Sequence, residues 1–288
     1  QPPEMAETVV GRPVLASYSE ITDAVARHNI TDVVFAPDDP RGEEALLRRL
    51  LSVKLLGIEV WSALSFSAAL LHCLPIELLQ PADVVFDAGF TPSNFTLALK
   101  RANDIVLSFI ALCLVSPILL VVGILIRIDS PGPALYRQKR VGLRGKLFTI
   151  YKFRSMRMQQ PGEPLRLTSR NDDRVTRVGR FIRLHRIDEL PQFLNVLLGD
   201  MSLVGPRPEV ESSVKELRET LPFYDQRHAI RPGITSLGQV RFGAATTLDE
   251  ARERLKYDLY YQKYMSLAFD LSILIDTVKV VLLKIGAR

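Results

Sequence analysis

The chain has little cysteine and few acids where its bases are densest. Its two cysteines, Cys73 and Cys113, are too few for a disulfide framework, and Cys113 lies inside an apolar run. Reduced thiols are therefore expected, as in a protein facing the cytosol. The first twenty residues do not resemble a secretory signal. The chain opens on Gln1 rather than Met, and the expectation is a fragment with upstream segments missing. No G-x-G-x-x-G occurs and Gly11 stands alone, so dinucleotide binding has weak support. Between Arg137 and Ile187 there are fifteen Lys or Arg and only three acids, Glu163, Asp172 and Asp173. That block carries +12 and the remainder −7, although the whole chain carries only +5. Such a block suits phosphates or lipid headgroups. It lacks the aromatic interleaving of a single-strand binder, so nucleic acid is not an expected partner.

At 288 residues and 47% hydrophobic, the chain has material for one large or two modest domains. Residues 1–94 read as short strands alternating with helices, then a linker. Strands are predicted near Val14, at Asp32–Ala36 and at Ile58–Trp61, and helices at Glu20–Asn29 and Glu43–Leu56. This alternation favours a small parallel sheet. Pro81 to Asn94 reads as the linker. Ile105 to Ile128 then runs almost wholly apolar, with Arg127 its only charge. As a helix it would extend about 36 Å at ~1.5 Å per residue, enough for a hydrocarbon core of ~30 Å. Ser116-Pro117 breaks its middle and both flanks are basic, with Lys100 and Arg101 on one side and Arg127, Arg137, Lys139 and Arg140 on the other. Proline removes a helix hydrogen bond, and basic flanks mark the cytoplasmic side. The prediction is a re-entrant helix–break–helix with both ends cytoplasmic.

Beyond a turn at Asp129–Pro133, strands are predicted around Gly142–Gly145. A polar loop follows at Pro161–Arg170, then a basic helix at Arg174–Arg186 and a helix at Asp188–Leu198 that ends at Gly199. Leu267–Ile285 mixes apolar residues with Asp270 and Asp276, which suits an interfacial or core amphipathic helix.

Chemistry centres on Asp188 and Glu189. Placed at the start of a helix and next to Arg180, Arg183 and Arg186, both carboxylates are expected to be ionised. An ionised carboxylate beside cations can attack phosphorus or hold Mg²⁺ that bridges phosphates. An Asp-Glu pair alone reads more simply as a capped, salt-bridged helix start. Its company raises it. Tyr151-Lys152-Phe153-Arg154 sets two cations on one strand face. Gly205-Pro206-Arg207-Pro208 holds an arginine rigidly for bidentate phosphate contact, and Arg231-Pro232-Gly233 repeats that theme.

These residues carry a resemblance. Lys100-Arg101 with Asp104, Ser116-Pro117, Asp129-Ser130-Pro131-Gly132-Pro133 and Arg137-Gln138-Lys139-Arg140-Val141-Gly142 occur in order. So do Tyr151–Met156, Asp173–Thr176, Leu190-Pro191-Gln192, Gly199–Pro208 and Arg231–Thr235. Residues 100–288 resemble the bacterial sugar transferases of the monotopic phosphoglycosyl transferase superfamily. Residues before 95 resemble the Rossmann-like domain of its larger members, which usually carry transmembrane helices further upstream. The fold implied is α/β: a small Rossmann-like domain at 1–94, a re-entrant membrane helix at 95–130 and a mainly helical α+β catalytic domain at 131–288. The activity implied is transfer of a sugar-1-phosphate from a UDP-sugar to undecaprenyl phosphate on the cytoplasmic face of the bacterial inner membrane, initiating exopolysaccharide, capsule or O-antigen assembly. The resemblance makes Asp188 the nucleophile, where local chemistry allows either acid, and Glu189 its partner. It implies Mg²⁺ as cofactor, with Asp188 as its ligand. It implies Lys152, Arg154, Arg183, Arg207 and Arg231 as substrate-binding residues and Ser116 and Pro117 as the membrane break. Membrane lipid is a further partner, and a homodimer through the N-terminal domain is a further expectation.

One stretch departs from the pattern. Thr235-Ser236-Leu237-Gly238-Gln239-Val240 lacks the aromatic residue common there, which bears on sugar specificity. Two other readings compete. A glycosyltransferase that moves the sugar without its phosphate would carry a D-x-D motif, whereas Asp172 and Asp173 are adjacent. A non-catalytic membrane-anchored nucleotide-sugar sensor or scaffold would be indifferent to Asp188.

Overall fold

The computed structural model describes residues 8–9, 12–36, 43–158, 172–243 and 247–283. The loop predicted at 161–170 lies outside the described residues. Two compact units follow one another, Gln1–Leu79 and Gln80–Arg288.

In the first unit β1 (Thr8–Val9) pairs antiparallel with β2 (Arg12–Pro13). Then come α1 (Ile21–Arg27), β3 (Asp32–Phe35), α2 (Glu43–Leu55), β4 (Glu59–Ser62) and α3 (Ala63–Leu71). The β-branched run of β3 pairs with β4 in parallel, from Asp32↔Glu59 to Phe35↔Ser62, with α2 as the crossover. Val25, Leu50, Val53 and Leu64 are buried. The predicted Rossmann-like domain is not confirmed. Among the described residues the parallel sheet stops at two strands, and the strand expected near Val14 is β2, which pairs with β1 instead of joining that sheet. The chain leaves β4 directly into α3, whose first turn is capped by Ser62 accepting from the Ser65 amide at 3.1 Å.

The predicted linker at 81–94 is instead folded. Pro81 opens α4 (Pro81–Phe86), and Asp83 accepts the Gln80 amide at 2.9 Å. Asp87 pairs with Lys263 at 2.7 Å, and the Phe90 carbonyl accepts from Gln262 at 3.2 Å. Such local capping leaves little trace in composition, which reads as loop.

The second unit continues through α5 (Asn94–Asp129), the hairpin β5 (Leu135–Val141) and β6 (Leu147–Phe153), α6 (Arg177–Leu184), α7 (Gln192–Leu198) and β7 (Ser202–Val204). It ends with α8 (Glu211–Thr220), β8 (Gly233–Thr235), α9 (Leu237–Arg241), α10 (Leu248–Lys263) and α11 (Leu267–Leu282). β7 and β8 pair in parallel. Gly205 and Gly233 let the two backbones touch where a Cβ on either would strike the other. Val196, Met201, Val204, Tyr261 and Ile273 form the core, each fully buried side chain contributing roughly 1.5–3 kcal/mol.

α5 is 36 residues long and apolar enough to cross a membrane by length and composition. Only 11% of its most apolar window is buried. Phe109, Leu114, Leu120 and Ile128 are among the exposed side chains, a surface that suits lipid better than water. The predicted break at Ser116-Pro117 does not interrupt it, because the helix runs through Pro117. Proline 117 has no N–H for the Cys113 carbonyl four residues earlier. The Ser116 hydroxyl donates to that carbonyl at 2.9 Å instead.

Both ends of α5 are fixed to one body. Near the start, Lys100 donates to Asp270 of α11 at 2.6 Å, and Asp270 also accepts from the Tyr261 hydroxyl. Asp104 accepts the Leu203 amide at 3.1 Å. Near the end, Asp129 accepts the Val178 amide at 3.0 Å, and Val122 and Ile126 pack on Phe153 and Ile182. Removing one partner of a buried pair leaves an uncompensated charge. Asp270→Ala is therefore expected to cost about 3–5 kcal/mol, read as a lowered unfolding midpoint in nanodiscs. An unchanged midpoint would exclude Lys100–Asp270 as the anchor of α5.

Candidate active site

The helix predicted from Asp188 starts later than expected. Ile187–Glu189 form a short 3-10 turn, and α7 begins at Gln192 behind Pro191. Asp188 is therefore not a helix cap. The turn is entered through Arg186, whose φ of 53° is left-handed. That conformation costs a non-glycine residue about 1–2 kcal/mol. It brings the Arg186 guanidinium to 4.0 Å from Glu189.

Glu189 is the hub. Its Oε1 accepts from Lys152 of β6 at 2.9 Å and from Arg207, in the loop after β7, at 3.2 Å. Asn195 of α7 holds these elements in register, accepting the Tyr151 amide at 3.0 Å and donating to the Thr149 carbonyl at 2.7 Å, both on one edge of β6. Burial pushes Glu189 up, but Arg207 and Lys152 outweigh it and hold the carboxyl down at about 2. Burial pushes the Lys152 ammonium down against the pull of Glu189.

Asp188 behaves oppositely. Among the described residues it forms no ion pair and no hydrogen bond to another residue; its own backbone amide is the one group that bonds its carboxyl. Burial pushes it up, the adjacent Glu189 anion pushes it further, and the Lys152 and Arg183 charges oppose. The result is about 6. Both acids are therefore ionised at neutral pH, as expected, but the margin differs, because Lys152, Arg207 and Arg186 gather at Glu189. At neutral pH Asp188 is ionised yet close to its pKa, as suits a reacting group.

The other expected residues separate. Lys152 and Arg207 meet at Glu189, and Arg183 acts on Asp188 through charge. The structure places Arg154 and Arg231 elsewhere. Arg154 is buried with its guanidinium on the Ser130 carbonyl at 2.7 Å, and it also bonds Pro131 and Ile126 carbonyls at the end of α5. Arg231 donates to the Gly199 carbonyl at 3.0 Å, beside Arg101 on the Leu197 carbonyl at 3.0 Å. Both arginines thus cap the C-terminus of α7.

The sequence reading missed the support behind Arg207. Arg227 is buried, donates to the Arg207 carbonyl at 2.9 Å and is held by Asp258 at 2.8 Å. Glu209 lies between Arg254 at 3.0 Å and Arg140 at 3.7 Å. A signal was present, since Arg254 and Asp258 stand one helical turn apart on α10.

Among the described residues no three His, Cys, Asp or Glu converge as a metal cage. Of the two adjacent acids, Glu189 is held by cations and Asp188 has its carboxylate open to a metal. Mg²⁺ commonly binds through one or two carboxylates together with substrate phosphates. The donor set fits an ion shared with a phosphate-bearing substrate.

A family model described as bacterial sugar transferase matches residues 95–284. The chain belongs to the bacterial sugar transferase family. Among its relatives, the UDP-N-acetylgalactosamine-undecaprenyl-phosphate N-acetylgalactosaminephosphotransferase of Aeromonas hydrophila is 41% identical over 251 residues, 87% of this chain and 58% of its own length. The UDP-glucose:undecaprenyl-phosphate glucose-1-phosphate transferase of Escherichia coli (strain K12) is 42% identical over 188 residues, 65% of this chain and 40% of its own. The exopolysaccharide production protein PSS of Rhizobium leguminosarum bv. phaseoli is 45% identical over 188 residues, 63% of this chain and 94% of its own. The chain spans about half the length of the first two.

The Asp188 shift has a stability consequence. The native state holds that proton more tightly than the unfolded chain, so the contribution is full below pH 3.8 and is lost as pH rises through about 6. Asp188→Asn, neutral at every pH, is expected to stabilise the protein by roughly 1–3 kcal/mol at pH 8 and hardly at all at pH 4. Glu189→Gln should do the reverse at pH 8, because it strands Lys152 and Arg207. Unfolding midpoints at the two pH values test both; a destabilised Asp188→Asn at pH 8 counts against the assignment.

Proposed function

We propose that the chain transfers a sugar-1-phosphate from a UDP-sugar to undecaprenyl phosphate at the cytoplasmic face of the membrane. The family membership and the relatives' names support the substrate classes. The observation that carries the residue roles is the asymmetry of the two acids: Glu189 is held by Lys152, Arg207 and Arg186, and Asp188 has no bonded cation.

An Asp188 oxygen attacks the β-phosphorus of the donor. The P–O bond to the uridine monophosphate half breaks, and UMP leaves with the electron pair. The phosphosugar is then esterified to Asp188. An oxygen of the lipid phosphate attacks the same phosphorus, the P–Oδ bond breaks and the carboxylate is regenerated. The product is a sugar diphospholipid, and no net proton is consumed. Lys152 and Arg207 stand where negative charge develops on the phosphoryl oxygens, and Glu189 keeps them charged and oriented. Arg183 adds positive potential at Asp188. Asp188 would hold Mg²⁺ through the carboxylate oxygen that does not attack, and the ion would supply positive charge to the donor diphosphate.

Both ends of α5 on one body support a helix held on one side of the bilayer rather than one that crosses it. A single folded unit does not sit on both faces of a core ~30 Å thick. Basic residues at both flanks support the cytoplasmic side.

The test supplies UDP-glucose, UDP-galactose or UDP-N-acetylgalactosamine with undecaprenyl phosphate and Mg²⁺. UMP should be released, and omitting the lipid should leave a phosphosugar adduct. Asp188→Asn should abolish both; an adduct on that variant would falsify the nucleophile assignment. UDP release in place of UMP would indicate sugar transfer without phosphate. In a second measurement, kcat/KM should fall tenfold per pH unit below about 6, because only the ionised Asp188 attacks. A flat profile from pH 5 to 7 would contradict it.

A further inference from the structure

We propose that the groove between the C-terminal half of α5 and strand β5 is the seat of the acceptor lipid. This rests on the transferase reading and adds a location to it. The groove has a volume of about 830 Å³, within the ~300–1,000 Å³ typical of ligand sites. Leu119, Gly123 and Ile124 of the membrane helix line one wall, and Pro133 and Leu135 line the other. One wall is therefore part of the surface that the bilayer would solvate, so a prenyl chain enters from lipid without crossing water.

Two features select a phosphorylated lipid. Arg127 and Arg137 line the groove, and neither has a carboxylate partner among the described residues. Arg137 lies instead over the Tyr151 ring, 5.7 Å from its centroid. Two uncompensated guanidiniums at an apolar groove complement an anionic headgroup on an apolar tail. Arg154 also borders the groove but is committed to backbone carbonyls. Second, the groove runs along the hairpin that carries part of the site. Tyr136 at its border is the direct cross-strand partner of Lys152, and Lys152 bonds Glu189. Leu135 and Arg137 alternate with Tyr136 and take the other face of β5, so the lipid phosphate reaches Lys152 by rounding the strand at Tyr136.

Gly123 offers a clean probe. A Cβ there meets only the Ala134 Cβ and the Phe153 ring, both at 4.0 Å. Gly123→Leu therefore fills the groove without forcing backbone apart. Undecaprenyl phosphate retained by the full chain in nanodiscs is measured by native mass spectrometry, independently of turnover. Gly123→Leu and the Arg127→Gln/Arg137→Gln double variant should each weaken retention at least tenfold, with unfolding midpoints near that of the parent. In single-turnover assays Gly123→Leu should keep the UMP burst and the adduct and slow discharge to the lipid. Unchanged retention in both variants overturns the proposal. So does a bilayer glycerophospholipid that holds the groove and is not displaced by undecaprenyl phosphate. Absence of a UMP burst in the parent chain instead counts against the transferase reading and leaves the retention result to decide the groove.

Discussion

Glu189 is a carboxylate taken out of water and surrounded by Lys152, Arg207 and Arg186. A charge so placed is stable only if its partners are close and well aimed. Everything around it serves that aim. Asn195 holds β6 against α7, so that Lys152 points at the turn. Arg227 and Asp258 hold the Arg207 loop from behind. Arg186 accepts a left-handed backbone to reach the same carboxylate. Asp188 inherits what is left: burial, a neighbouring anion and no bonded cation. Two adjacent residues of nearly identical chemistry thus end about four pH units apart, at about 6 and about 2.

In the proposed mechanism that division also separates binding from reaction. A carboxylate ringed by cations is a poor nucleophile, because its lone pairs are engaged. A carboxylate without partners keeps its lone pairs available at the cost of a raised pKa. The pair works as a unit because one member absorbs the stabilisation that would silence the other.

Much of this was legible in the residues. The apolar run, the basic hairpin, the arginine-bearing Gly-Pro loop and the acid pair are all local patterns, and the structure contains them where periodicity and turn chemistry put them. Three things were not legible. Whether Arg154 and Arg231 face a ligand or a helix end depends on contacts far along the chain; Arg231 and Gly199 are 32 residues apart. The start of α7 was misread because Pro191 suits a helix start equally well two or three residues either way. The N-terminal unit showed the right alternation, but alternation counts elements and does not say how many strands join one sheet. For Ser116 and Pro117 the residues were right and the consequence differed, since a hydroxyl replaces the bond that proline removes.

The bond between Lys100 and Asp270 spans 170 positions of the chain. At ~5–20 residues per second of synthesis, about 10–35 s separate the appearance of its two ends. For most of that interval α5 is complete and apolar. Arg101 and Asp104 can find their partners on α7 and at Leu203 well before Asp270 exists, so Lys100 is the last charged group of those first turns to be matched. A ribosome stalled before α11 would leave Lys100 without its counter-ion, and the last helix made completes the fastening of the first part of α5.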